Sequence, residues 1–287
     1  RTCAQHSGRS AGSTGSLGHE ARDAATFADW GVDYLAYDWC SAQSDRDEQI
    51  AAFTVMRDAL RELGTPIVYA INPNRGLDTT RPGWDSYWGG VATVTRVTGP
   101  TVPAWSTEGR DRKAQGVVEV IDALAPLAGR VRPGTYNDPG LLPVGIAPGS
   151  GELTESEQRT QVSMWAMMAA PLMVGVDLTR MPGSAIRILT NRAIVRIDQD
   201  ERVSAGTRVA GNPEVWTRAI GDRGLVVSLT NRGPAPRRLS VSLRDLGLTG
   251  DGRVAGVDAW TGDRYRAVDG RLAVTVAAHD TAVLTIV

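Results

Sequence analysis

The chain has 287 residues, a formal net charge of -1, 42% hydrophobic and 22% charged residues. That length suits one large or two ordinary domains, and that composition a soluble globular protein. The near-zero charge gives no reason to expect a nucleic-acid or membrane partner, and no apolar run reaches the length of a membrane span.

In chain order, residues 32–38 (VDYLAYD) read as a buried strand that ends on Asp38. A helix is expected next, with Ile50, Phe53, Met56, Leu60 and Leu63 on one face and Gly64 as its stop. Residues 66–72 (PIVYAIN) and 88–97 (WGGVATVTRV) read as further strands. AQGVVEVIDALAPLAG reads as a helix, and GRVRPGTYND leads into a strand-end loop. Thr154 and Glu157 have capping-box spacing and open another helix. Residues 171–178 (PLMVGVDL) are expected to be the fifth strand, and SAIRILTNRAIVRI one closing helix. Strands alternating with helices predict a parallel sheet with helices outside.

After residue 201 the apolar period changes to two. EVWTRAI, GLVVSLTN, RRLSVSL, RVAGVDAW and LAVTVAAHDTAVLTIV are separated by turn residues. This predicts a small antiparallel β-sandwich over 202–287, following an α/β domain over 1–201.

Polar groups gather at the ends of the parallel strands: Asp38, Asn72, Asn74, Arg96, Asn137, Asp138 and Asp177. Barrel enzymes place their chemistry at that end of the strands. Any one of these residues is equally a cap or a turn residue, and Asp177 reads best as a cap. The two cysteines, Cys3 and Cys40, are either free thiols or a bridge. A bridge would mean that the protein works outside the cytosol.

The segment TCAQHSGRSAGSTGSLGHEARDAATFADWGVDYLAYDWC resembles the central signature of the glycoside hydrolase family 27 α-galactosidases. MRDAL, YNDPGLLPVG, SMWAMMAAPLMVGVDL and LTNRAIVRIDQD agree in order, and EVWTRAIGDRGLVVSLTNRG with DAWTGD is similar to that family's C-terminal sandwich. The resemblance implies a (β/α)8 barrel followed by a sandwich, and hydrolysis of terminal α-linked sugars with retention. It implies no cofactor and no metal; the partner is a carbohydrate substrate, and the protein is secreted or otherwise extracytoplasmic. It places the nucleophile at Asp38, within Tyr37-Asp38-Trp39-Cys40, and joins Cys3 to Cys40. Asn72, Arg96, Tyr37 and Trp39 are the expected sugar contacts, and His279 is expected to be structural.

Three departures qualify the resemblance. The family's lysine two residues before the nucleophile is Ala36 here. Its Cys-Glu-Trp after the next strand is Ile71-Asn72-Pro73. Its acid/base aspartate, four residues after Arg96, is Pro100, which cannot transfer a proton. Asp85, Glu108 and Asp111, on neighbouring loops, are the candidates to replace it, and nothing in the sequence favours one of them. Only the last five of the family's eight strands are expected in this chain. A longer protein, or a partner covering the two open sheet edges, is the expected completion.

Overall fold

A computed structural model describes residues 2–4, 15–40, 46–73, 90–108, 114–146, 153–250 and 253–287. Contacts divide the chain into two compact units, one of residues 1–97 with 134–138 and one of residues 98–133 with 139–287.

The first unit is built on a five-stranded parallel sheet in the order β1 (Thr2–Cys3), β2 (Tyr34–Asp38), β3 (Val68–Asn72), β4 (Val94–Arg96), β5 (Tyr136–Asp138). The helices Glu20–Asp29 and Arg46–Glu62 belong to it. On the second of these, Phe53, Met56 and Leu60 are buried at helical spacing. Gly64 ends it with φ +65°, a left-handed conformation that glycine adopts without penalty. Phe53 is fully buried, with ring contacts to Tyr37 and Trp39 at 6.0 and 6.1 Å, and its carbonyl accepts from the Tyr69 hydroxyl at 3.0 Å. Burying one such ring contributes about 1.5–3 kcal/mol. This cluster fixes which strand face meets the helices.

Five strands are present, but not the expected five. Thr2–Cys3 pairs in parallel with β2, although two residues carry no readable period. Residues 171–178 do not form a strand. Among the described residues their one ladder contact is a parallel bridge between Leu142 and Val174. Leu142 lies between Gly140 and Gly145, both at positive φ, so the chain turns before the pairing can propagate. Pro171 has no N–H to add to it.

The first helix of the second unit among the described residues, Val117–Leu124, buries Val117, Val120, Ile121 and Leu124. The helix Glu155–Met167 opens on the expected capping box. Thr154 Oγ1 accepts from the Glu157 N–H at 3.3 Å, and Glu157 accepts from the Thr154 N–H at 2.7 Å. The single helix expected over SAIRILTNRAIVRI is two, Gly183–Leu189 and Arg192–Asp198. Asn191 divides them, because its side-chain oxygen caps the second by accepting from the N–H groups of Ala193 and Ile194.

Antiparallel strands follow: β6 (Thr207–Arg208), β7 (Val215–Ile220), β8 (Gly224–Thr230), β9 (Arg237–Ser242), β10 (Ala255–Asp258), β11 (Arg264–Arg266), β12 (Arg271–Val276) and β13 (Thr281–Ile286). They form a six-stranded sheet, β11-β10-β13-β8-β7-β6, and a two-stranded sheet, β12-β9. Alternate residues of both sheets, among them Val227, Leu229, Val241, Leu272, Val274 and Leu284, make the sandwich core. The helix Glu155–Met167 is tied to this sandwich by polar contacts. Arg159 pairs with Asp280, Thr160 Oγ1 donates to the His279 carbonyl at 2.7 Å, and Ser163 Oγ accepts from the Trp260 indole at 2.9 Å.

Candidate active site

The register of the parallel sheet aligns the strand ends. Asp38 pairs with Asn72, and Arg96 pairs with Asp138. The β3–β4 register pairs Ala70 with Val94 and Ile71 with Thr95, so one further step sets Asn72 beside Arg96. Side chains alternate faces along a strand. Tyr37 and Tyr69 occupy the face that meets Phe53. Asp38, Asn72, Arg96 and Asp138 therefore share the opposite face, in one row across four strands about 4.8 Å apart.

Two residues back, the same face carries Ala36, Ala70, Val94 and Tyr136, partners in the same register. The polar row thus stands on a mainly apolar floor, and at Ala36 and Ala70 that floor is as small as a side chain can make it. Two carboxylates, one amide and one guanidinium above a floor of two alanines, a valine and a tyrosine form a polar rim suited to a hydroxyl-rich ligand.

Several expected site residues lie elsewhere. Tyr37 and Trp39 are 0% and 2% exposed and pack on Phe53, so the structure places both rings in the helix-facing core, away from the row. Burial pushes the hydroxyls of Tyr37 and Tyr69 well above the usual tyrosine range and keeps them neutral. Asn137 is buried opposite Thr95, one residue out of phase with Asp138, and so faces the other side of the sheet. Asp177 is a cap, as expected. Its Oδ1 accepts from the Thr179 N–H at 3.0 Å and hydroxyl at 2.6 Å, which lowers its pKa. Asn74, Asp85, Asp111 and the side chain of Cys3 lie outside the described residues. The Cys3 backbone pairs with Asp38, two residues before Cys40.

In the second unit, Pro100 is exposed on a pinned segment. Its carbonyl accepts from the Gln115 N–H at 3.0 Å, and the Gly99 N–H donates to the Gln115 side chain at 2.7 Å. The flanking Thr98 and Thr101 hydroxyls both donate to the Pro139 carbonyl, at 2.7 and 2.8 Å. Glu108 is exposed. His279 is held structurally: its ring stacks on Trp105 at 4.4 Å and its Nδ1 lies 2.7 Å from a Glu157 carboxylate oxygen. Among the described residues no group of three or more His, Cys, Asp or Glu is placed to hold a metal ion, and no helix is long and apolar enough to cross a membrane.

A family sequence model described as alpha galactosidase A matches residues 4–200, and one described as alpha galactosidase C-terminal beta sandwich domain matches residues 210–286. The chain belongs to the α-galactosidase family, glycoside hydrolase family 27. It is 30% identical to alpha-galactosidase 2 of Arabidopsis thaliana, over 92% of this chain and 62% of that protein. It is 36% identical to alpha-galactosidase A of Cellvibrio japonicus, over 67% of this chain and 45% of that protein. The chain therefore spans about half to two thirds of the length of the curated relatives it matches.

Among solved structures, alpha-galactosidase I of Mortierella vinacea superposes with a TM-score of 0.85 at 23% identity, over 99% of this chain and 75% of that one. The Saccharomyces cerevisiae α-galactosidase solved with raffinose gives 0.81 at 23% identity, over 100% and 78%. A Geobacillus stearothermophilus β-L-arabinopyranosidase of the same family gives 0.78 at 22%, over 93% and 60%. These likenesses support the fold: part of a barrel, followed by an antiparallel sandwich.

Proposed function

We propose that this chain contributes the nucleophile side of the active site of a retaining glycoside hydrolase acting on terminal α-linked sugars, with galactose as the family's usual unit. The observation that carries this reading is the row Asp38–Asn72–Arg96–Asp138 at the carboxyl ends of neighbouring parallel strands. Asp38 holds the place of the family's nucleophile. Its carboxylate attacks the anomeric carbon as the bond to the leaving oxygen breaks, giving a covalent glycosyl-enzyme that water then hydrolyses. Asn72 and Arg96, on the same face, offer an amide and a fixed fork of donors to sugar hydroxyls.

The barrel fold does not choose the sugar, since a β-L-arabinopyranosidase shares it. With Ala36 and Asn72 standing where the family has a lysine and a glutamate contact, this rim has fewer charged groups for sugar hydroxyls.

Pro100 favours a second reading, a barrel that binds carbohydrate without turning it over. Loss of a general acid costs about 10²- to 10⁴-fold in rate. The two readings separate in one assay: release of aryl alcohol from an aryl α-galactoside by the complete gene product, compared with Asp38→Asn. Turnover that the substitution abolishes supports the hydrolase. Binding of galactose with no turnover supports the second reading.

A further inference from the structure

The second unit contains a crevice of about 550 Å³, lined by residues of the helices Glu155–Met167 and Gly183–Leu189, by Asn191 and by the strands β10 to β13 with their connections. All of its lining residues belong to that unit, whereas the Asp38 row belongs to the other. Its volume falls within the range of about 300–1,000 Å³ typical of small-molecule sites.

Its chemistry is mixed in a particular way. Trp260 and Tyr265 supply two aromatic surfaces. The Trp260 ring is fixed, because its indole N–H donates to Ser163 Oγ and its backbone N–H donates to Asp258 at 2.7 Å. Arg159 is bound to both oxygens of Asp280, so this pair presents an oriented fork and carboxylate as one wall. Arg187 is exposed and, like the Tyr265 hydroxyl, has no hydrogen-bond partner among the described residues. Both are available to a ligand.

The charges select its class. Three carboxylates (Glu155, Asp258 and Asp280) stand against two guanidinium groups, Arg159 and Arg187. A phosphate or carboxylate ligand would meet three like charges, and a cation would meet two. A neutral ligand with many hydroxyls finds donors and acceptors on every side, and one with an apolar ring face finds two aromatic rings on which to stack. We propose that this crevice is a second saccharide site, binding a neutral pyranose unit independently of the Asp38 row.

The test measures binding by ligand-observed NMR, using methyl α-D-galactopyranoside and raffinose as probes and sodium phosphate as the anionic control. It is made on the chain carrying Asp38→Asn, then with Arg187→Ala and Tyr265→Phe added. Arg187 is exposed, and Tyr265→Phe keeps the ring that packs on the sandwich core and removes only a hydroxyl without a hydrogen-bond partner among the described residues, so the fold should persist, and circular dichroism verifies that. The expected result is saccharide binding in the Asp38→Asn protein that the double change weakens at least tenfold. Three results would each overturn the proposal: no saccharide binding to the Asp38→Asn protein, binding unaffected by the double change, or phosphate competing the sugar away from the crevice.

Discussion

Asp38 and Asn72 end neighbouring parallel strands in exact register, on the face opposite the Tyr37–Phe53 cluster. A carboxylate and an amide are thereby held side by side by backbone pairing, with their positions set before any ligand arrives. Arg96 and Asp138 repeat the arrangement two strands on.

The register also bears on the cysteines. With the Cys3 backbone opposite Asp38, a Cys3–Cys40 bridge would tie the segment after β1 to the one after β2. We expect the unreduced protein to yield a single disulfide-linked peptide pair by mass spectrometry. Reduction should then cost about 4 kcal/mol by the loop-entropy model. Two alkylated free thiols in unreduced protein would refute the bridge and the extracytoplasmic location inferred from it.

Asp198 predicts a pH dependence of stability. Burial raises its pKa to about 6, and its Oδ1 is buried without a hydrogen-bond partner among the described residues. The folded pKa lies above the unfolded one, so this group favours the native state below about pH 4, and the advantage is lost as the pH rises through 6. At pH 7 the ionised group costs roughly 1–3 kcal/mol, at 1.36 kcal/mol for each pKa unit. Asp198→Asn should raise the Tm by several degrees at pH 7 and by much less at pH 4.5. An equal shift at both values would mean that ionisation is not the cause.

Much of this architecture is legible in the chain because burial imposes a period. YLAYD and VYAIN are apolar enough to read as strands, and Thr154 with Glu157 marks a helix start. What is not legible depends on partners far away in sequence. PLMVGVDL is as apolar as a strand, yet two glycine turns around Leu142 limit its pairing, among the described residues, to the single bridge at Val174. Asn137 and Asp138 are equivalent in sequence, and only the register with Thr95 and Arg96 separates their faces. Tyr37 and Trp39 flank Asp38, but alternation turns them into the core. The crevice at Trp260 draws its walls from residues 155 to 282 and has no contiguous signature.

Pro100 makes a prediction about leaving groups. An alkoxide leaving group needs a proton as its bond breaks, whereas a low-pKa aryl alcohol does not. The complete gene product should act on aryl α-galactosides far better than on natural oligosaccharides, by about 10²-fold or more in kcat/KM. Azide should accelerate turnover, because it attacks the glycosyl-enzyme without a base. Similar rates on both substrates, unchanged by azide, would show that another group supplies the proton.

In the proposed mechanism Asp38 becomes covalently attached to sugar. The most direct measurement treats the complete gene product with a 2-deoxy-2-fluoro-α-galactosyl fluoride, which slows hydrolysis of the intermediate, and maps the adduct by peptide mass spectrometry. The expected result is one 2-deoxy-2-fluorogalactosyl adduct on Asp38, formed as the anomeric fluoride leaves and absent from Asp38→Asn. An adduct on another residue, or turnover of an aryl galactoside that survives Asp38→Asn, would contradict it.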